Sequence, residues 1–485
     1  MAVHEPIMKR FPKKATLALS LLCSALTLAL PAEAGEKQAI KAGTIITMDG
    51  DPIIDGVILM DSGRIVAVGP ASEIEIPWDA EVTDASDMVA VPGFVEAHST
   101  DGTDRANETI DVGAFFDVQD SVNPVDFYFE DSLRFGITTI NIQQGNQCVI
   151  AAQGAIVKPF GATVAQLLVR PHAGVKMSVT AKRGKSRATQ AAALRKAFSD
   201  LREHLEQLVD EQKQGNDRAR REALAQGRDY EGEDAKGRAM TGKGWTLSGM
   251  ENIPRVEVDQ KMQPLLKVVE GRMAVYMYCG SPAEVHTALA IARENGFLHR
   301  MVFVLGSGCF KAADEIAAAK VPVILSSSLI HTERDPITEE ETLTFEAKVF
   351  QDKGVSFALT SNDSGLESLW YQAALCVGQG MEREAALASI TTSPAKILGL
   401  ENQVGSIKVG ADANVVLYTG DPLSVTSHVD LVFIDGNQVY DRSKDARLQH
   451  LFDGEHPSGT APADEDEGDM HAGEGPSDDD KKGDK

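Results

Sequence analysis

Cationic side chains are scarce in this chain of 485 residues. Lys and Arg total 47 against 72 Asp and Glu, for a formal net charge of −25. That balance excludes nucleic acid as a partner, because phosphate recognition needs clustered Lys and Arg. Only five cysteines occur, and no Cys-x-x-Cys, which excludes a structural zinc site of that kind. There is no Gly-x-Ser-x-Gly, no cysteine in a known catalytic signature and no Gly-rich phosphate loop, so a nucleophilic mechanism has little support. Aromatic residues are 6% of a chain that is 43% hydrophobic. The length suits a large barrel with one accessory domain, or two or three smaller domains.

Long apolar runs are absent beyond the first 30 residues. At the N-terminus, Lys9, Arg10, Lys13 and Lys14 precede an apolar run from Ala15 to Leu30, and Ala32-Glu33-Ala34 offers a small-x-small site before Gly35. This is the layout of a secretory signal peptide over residues 1–34, which predicts export from a bacterial cell and no stable membrane insertion after cleavage. The alternative is an uncleaved anchor, for which the run is short. The mature chain would keep Cys148, Cys279, Cys309 and Cys376, read as buried free thiols, since a chain this long needs no disulfides.

What is present alternates. Thr44–Met48, Gly56–Met60 and Arg64–Val68 are short apolar runs separated by turn signals, and similar runs stand at Ala413–Tyr418 and Leu431–Tyr440. The two ends are predicted to form one small β-sandwich domain, from 35–92 and 399–445. Between them, strand-like segments such as Ile137–Ile142, Ala274–Tyr278, Met301–Leu305, Val321–Leu325 and Val355–Thr360 alternate with helical stretches such as Pro282–Glu294 and Ala312–Ala319. Repeated strand–helix units predict an α/β fold, a (β/α)₈ TIM-like barrel over 93–398 inserted into the β-domain. Residues 186–250 interrupt the alternation: Leu194, Phe198, Leu201, Leu205 and Leu208 recur at helical spacing, followed by a charged, Gly-rich stretch. This reads either as a lid or partner-binding arm, or as an ordinary surface helix and loop. The tail 453–485 is acidic with almost no apolar residues, and is predicted to be disordered.

Several segments carry a family likeness. Pro92-Gly93-Phe94-Val95-Glu96-Ala97-His98, Phe135–Thr139, Gly154–Lys158, Ala173–Met177, Thr391–Leu400 and Val404–Asn414 together resemble the amidohydrolase superfamily, and within it the imidazolonepropionase-related branch. The resemblance implies metal-assisted hydrolysis of non-peptide carbon–nitrogen bonds, such as those of cyclic amides, by zinc held at the C-terminal ends of the barrel strands.

The strand ends depart from the family pattern one after another. His98 is in place, but the second histidine of the expected His-x-His is Thr100. Tyr278 and Gly280 stand where His-Ala-His is expected, and Leu305 where another histidine is expected. The last strand should end in Ser-Asp and reads Ser361-Asn362, with Asp363 one step on. The resemblance therefore implies lost or strongly reduced activity, no bound cofactor, and a role in binding a small molecule or partnering an intact amidohydrolase relative or a second copy of itself. The alternative is an active amidohydrolase with a rearranged, single-metal zinc site around His98, drawing on Asp101, Asp104, Asp363 and His331 in the mouth loops. Lys158 and Lys176 could touch an anionic ligand or pair with carboxylates, and Lys176 and His331 are the candidate substrate-binding residues. Cys279 and Cys309 follow adjacent strands, so a disulfide there would plug the former site.

Overall fold

A computed structural model describes residues 37–225, 255–361, 365 and 368–453. The expected signal peptide, Asn362 and Asp363, residues 226–250 of the insertion and the acidic tail from 454 onward lie outside the described residues. Described residues up to Tyr440 form one compact unit. The second unit begins at Asp441, whose carboxylate caps a turn at Arg442–Lys444 ahead of a helix, Ala446–Asp453.

Strands run in chain order as β1 (Gln38–Ile45), β2 (Ile53–Asp61), β3 (Arg64–Pro70), β4 (Glu81–Pro92), β5 (Phe94–Ser99), β6 (Ile137–Ile142), β7 (Ile150–Val157), β8 (Leu168–Ser178), β9 (Val275–Cys279), β10 (Met301–Leu305), β11 (Val323–Leu325), β12 (Ile330–Arg334), β13 (Glu341–Phe345), β14 (Phe357–Ala358), β15 (Val415–Tyr418), β16 (Val429–Ile434) and β17 (Asn437–Asp441). Eight of them form a sheet in the order β14-β11-β10-β9-β8-β7-β6-β5. The sheet is nearly closed: Val95 N–H donates to Ile390 O and Leu359 N–H to Ser389 O, so the segment around Ser389 and Ile390 bridges the gap between β5 and β14.

One expectation changes here. The barrel is not uniformly parallel, because β7 pairs antiparallel with both β6 and β8. Apolar alternation carries no direction, and the short link from Ile142 to Ile150 cannot hold the crossover helix that a parallel neighbour needs. The two chain ends build one hydrogen-bonded seven-stranded sheet, β17-β16-β15-β4-β1-β2-β3, whose β3 and β16 share one apolar core through Ile65 and Phe433. The sheet does draw on both ends, and β4 passes directly into β5 through Gly93.

Alternation along the barrel strands separates two apolar layers. Tyr276, Val302, Val304, Ile324 and Ala358 cluster inside the barrel, whereas Val275, Met277, Cys279, Met301, Phe303 and Leu305 belong to the core between barrel and helices. The helix Pro282–Glu294 starts where the sequence places it: Ser281 and Glu284 form a capping box and Pro282 opens the first turn. The insertion begins as one helix, Arg187–Ala225, with Leu194, Phe198, Leu201 and Leu205 buried in the main core and Phe198 stacked on Phe297 at 5.6 Å. Each such side chain stabilises by about 1.5–3 kcal/mol. This half of the insertion packs as part of the fold.

Lys158 fastens sheet to barrel. Its ammonium is 2.7 Å from Asp412 Oδ2 and 2.5 Å from Asp435 Oδ1, with Arg64 also on Asp412 at 2.8 Å. It pairs with carboxylates rather than facing a ligand in the mouth. Asn414 accepts the Asp435 N–H through its side chain and the Gly93 N–H through its carbonyl.

Candidate active site

The candidate site lies at the C-terminal ends of the barrel strands. Its first member is a carboxylate that sequence reasoning did not single out. Glu96 is fully buried in a strand whose six residues are all buried. It accepts from Thr360 Oγ1 at 2.5 Å, Ser361 N–H at 2.9 Å, Ser361 Oγ at 2.6 Å and His98 N–H at 3.2 Å. Burial pushes its carboxyl above the ordinary carboxylate range, against the pull of those donors. The readable signal was a charged residue inside an otherwise apolar strand, which is stable only with a full set of partners.

The register between β5 and β6 shifts between Glu96 and Ser99, and His98 lies at that irregularity. His98 is 1% exposed and its Nε2 lies 2.6 Å from Nζ of Lys176, which is fully buried. Burial drives the imidazole well below its ordinary pKa, and the Lys176 charge pushes the same way. A neutral ring facing an ammonium accepts the hydrogen bond at Nε2 and keeps its own proton on Nδ1. Lys176 Nζ also stands 5.7 Å from the centroid of the Tyr278 ring, within cation–π range.

Tyr278 fills the space between two strand ends. A Cβ at either Gly280 or Gly306 would come within 3.3 Å of its hydroxyl, so tyrosine at 278 and small residues at 280 and 306 form one packed set. Gly280 N–H is bound by Thr180 Oγ1 at 2.7 Å and Glu284 Oε2 at 2.9 Å. Leu305 does not reach this space: it pairs in register with Cys279 and faces the helices. Thr100 turns into a loop, where its carbonyl accepts from Thr103 Oγ1 at 2.9 Å. Asp101 and Asp104 are exposed.

His331, on β12, has Nδ1 3.0 Å from Ser307 Oγ and 4.0 Å from Glu346 Oε1, with its ring edge-on to Phe310. Glu346 is buried and accepts from Ser307 Oγ and Gly308 N–H, each at 2.8 Å. These contacts tie the hairpin to the loop after β10. The disulfide considered between Cys279 and Cys309 is not made. Both thiols are free, and Cys309 Sγ contacts the Cys279 carbonyl at 3.3 Å on the helix-facing side of the wall. Burial holds Cys309 up at about 12, so it is an inert thiol; Cys148 and Cys376 are likewise free and buried.

Zinc needs an imidazole lone pair and further anionic or imidazole donors around one open position. Here the Nε2 lone pair of His98 faces an ammonium, and Glu96 is taken up by four donors. Tyr278, Gly280 and Leu305 offer nothing in place of histidines. Among the described residues, no three His, Cys, Asp or Glu side chains converge on one point. Among the described residues, which leave out Asn362 and Asp363, this donor set does not suit the family's zinc centre.

The His98–Lys176 contact gives a pH prediction. The unfolded chain protonates His98 near its ordinary 6.5 while the folded state keeps it neutral, so this group's contribution is complete above about pH 6.5 and is lost as pH falls below that. The slope is about 1.4 kcal/mol per pH unit for the one proton. Lys176→Met removes the adjacent charge, raises the His98 pKa and shortens the range of loss. Urea unfolding followed from pH 7.5 down to pH 4 is expected to show the acid loss ending at a higher pH for Lys176→Met than for the parent chain; coincident losses over the whole range would contradict it.

A nearly closed barrel with polar groups at its C-terminal mouth, joined to a sheet from both chain ends, is consistent with the architecture of an amidohydrolase. Comparison with known proteins agrees. Residues 358–440, from the last barrel strand into β17, match the Amidohydro_3 model of the amidohydrolase family. An amidohydrolase from Thermotoga maritima MSB8 aligns with a TM-score of 0.66 and 27% identity over 83% of this chain and 100% of that one. Amidohydrolase tasK of Hapsidospora irregularis is 36% identical over 96 residues, 19% of this chain and 10% of that protein. An imidazolonepropionase from Thermoplasma volcanium is 34% identical over 113 residues, 21% of this chain and 28% of that enzyme. The matched stretches thus span between a tenth and about a quarter of these two curated relatives. Together the matches support the amidohydrolase superfamily.

Proposed function

We propose that this chain keeps the amidohydrolase barrel without its metal-assisted hydrolysis, and serves as an exported binding protein or partner subunit. The observation that carries the reading is Lys176 Nζ at 2.6 Å from His98 Nε2, with both side chains buried. A cation stands on the lone pair that a metal would require. Tyr278, with Gly280 and Gly306, supports the reading by filling the neighbouring strand ends with a phenol.

A binding role draws support from inside the barrel. Thr139 Oγ1 and Gln143 Oε1 are buried without a hydrogen-bond partner. Beside them Asn141 Nδ2 donates to Ala97 O and Gln143 Nε2 to Asn141 Oδ1. Buried acceptors of this kind are normally met by water or a ligand donor. A small neutral molecule bearing N–H or O–H groups is the class they would take. A partner role beside an intact relative or a second copy is compatible with the same surface. Among the described residues no helix is long and apolar enough to cross a membrane.

The test is activity. With zinc or manganese supplied, the purified chain without a His tag is expected to hydrolyse cyclic amides and imidazolones at the uncatalysed rate, and His98→Ala is expected to change nothing. Turnover that His98→Ala abolishes would favour the rearranged single-metal site instead.

A further inference from the structure

A large cavity lies at the opposite end of the barrel. It occupies about 680 Å³ at the N-terminal ends of β8, β9, β10, β11 and β14. That volume suits a small-molecule ligand. In a chain where carboxylates outnumber Lys and Arg by 72 to 47, no Asp or Glu lines it, whereas Arg170, Arg272, His299, Arg300, Lys320 and Lys396 do. We propose that this cavity binds a small, multiply charged oxyanion of the phosphate or carboxylate class, at a site separate from the former catalytic mouth.

The placement of the cations supports a site. Arg170 is half-buried and held by two backbone carbonyls: its guanidinium donates to Leu398 O at 2.6 Å and Gly399 O at 2.9 Å. Those bonds fix its orientation without neutralising its charge. Met273, Tyr276 and Val302 add apolar surface to the lining beside Arg170 and Arg300. Arg272 shares Glu270 with Arg255, at 3.0 and 2.5 Å, and Glu270 itself is outside the lining. Like charges gathered in one concavity repel unless an anion joins them, and the net field of this chain does not explain why they gather here. Planar guanidinium groups suit paired oxyanion oxygens, and the lysines add point charges.

The experiment is calorimetric titration of the full chain with pyrophosphate and, separately, citrate, at low and physiological salt. One-to-one saturable binding to either probe, weakening as salt rises, is expected. Arg300→Ser with Lys396→Ser should lower affinity by about tenfold or more, since each lost charge-assisted bond is worth that much. Both side chains are exposed, so the double variant should fold, as its melting curve will report. Lys311→Ser, whose ammonium pairs with Glu333 away from the cavity, should leave binding unchanged. No saturable binding by either probe, or unchanged affinity in a folded double variant, would overturn the proposal. So would binding that Lys176→Met abolishes and the double variant retains, because that places the anion at the mouth.

Discussion

Glu96→Ala is expected to lower the unfolding free energy by about 3–5 kcal/mol, the range seen when one partner of a buried polar network is removed. The carboxylate ends four hydrogen bonds, and three of them come from Thr360 and Ser361 on the far side of the barrel's gap. Alanine leaves the Ser361 N–H and hydroxyl without this acceptor in a dry place, at about 1–3 kcal/mol for each one that stays unmet, whereas the Thr360 hydroxyl keeps His98 O at 2.6 Å. It also removes the link that joins β5 to the segment after β14, where no strand ladder closes the barrel. Glu96→Gln keeps the shape and one carbonyl acceptor, and should lose less than half as much. Its amide can still accept the bonds of one carboxylate oxygen. Denaturant unfolding of the two variants checks this. Equal, small losses in both would mean that Glu96 is not a structural tie.

Gly93→Ala should destabilise by about 3 kcal/mol or more, at the upper end of overpacking costs. A Cβ there would stand 1.9 Å from Thr138 Oγ1 and 2.7 Å from its Cβ. Thr138 is fully buried on β6, so it cannot turn away, and Gly93 links β4 to β5, so the backbone cannot yield without shifting both sheets. The paired variant Gly93→Ala with Thr138→Ala should recover much of the loss, because it removes the atoms that collide. Thermal unfolding of the single and double variants decides it; an unchanged midpoint for Gly93→Ala would show that the junction is looser than described. The glycine of the Pro-Gly-Phe signature is thus held by packing, and its retention says nothing about activity.

That distinction explains how much could be read from the chain alone. Periodicity and capping were legible: Pro282–Glu294 begins and ends where its residues say, and the paired ends do form one sheet. The reversed β7 was not, since Ile150–Val157 is apolar in either direction. At the site, the departures at Thr100, Tyr278, Gly280 and Leu305 were visible, but what replaced the expected histidines was not. Leu305, at a position where a histidine is expected, faces the helices. Tyr278 occupies the space, which depends on glycines at 280 and 306 on two different strand ends. The contact between His98 and Lys176 joins residues 78 positions apart on strands that are not neighbours. No local pattern encodes it. Glu96 was in plain view inside the motif, and only its burial reveals its work.

The central claim is that a buried ammonium occupies the coordination position of His98. Metal content measures it most directly. The mature chain, purified without a His tag and dialysed against zinc, iron and manganese in turn, should retain far less than one metal ion per chain, and His98→Ala should not alter that figure. One ion per chain, lost in His98→Ala and kept in Glu96→Gln, would contradict the account.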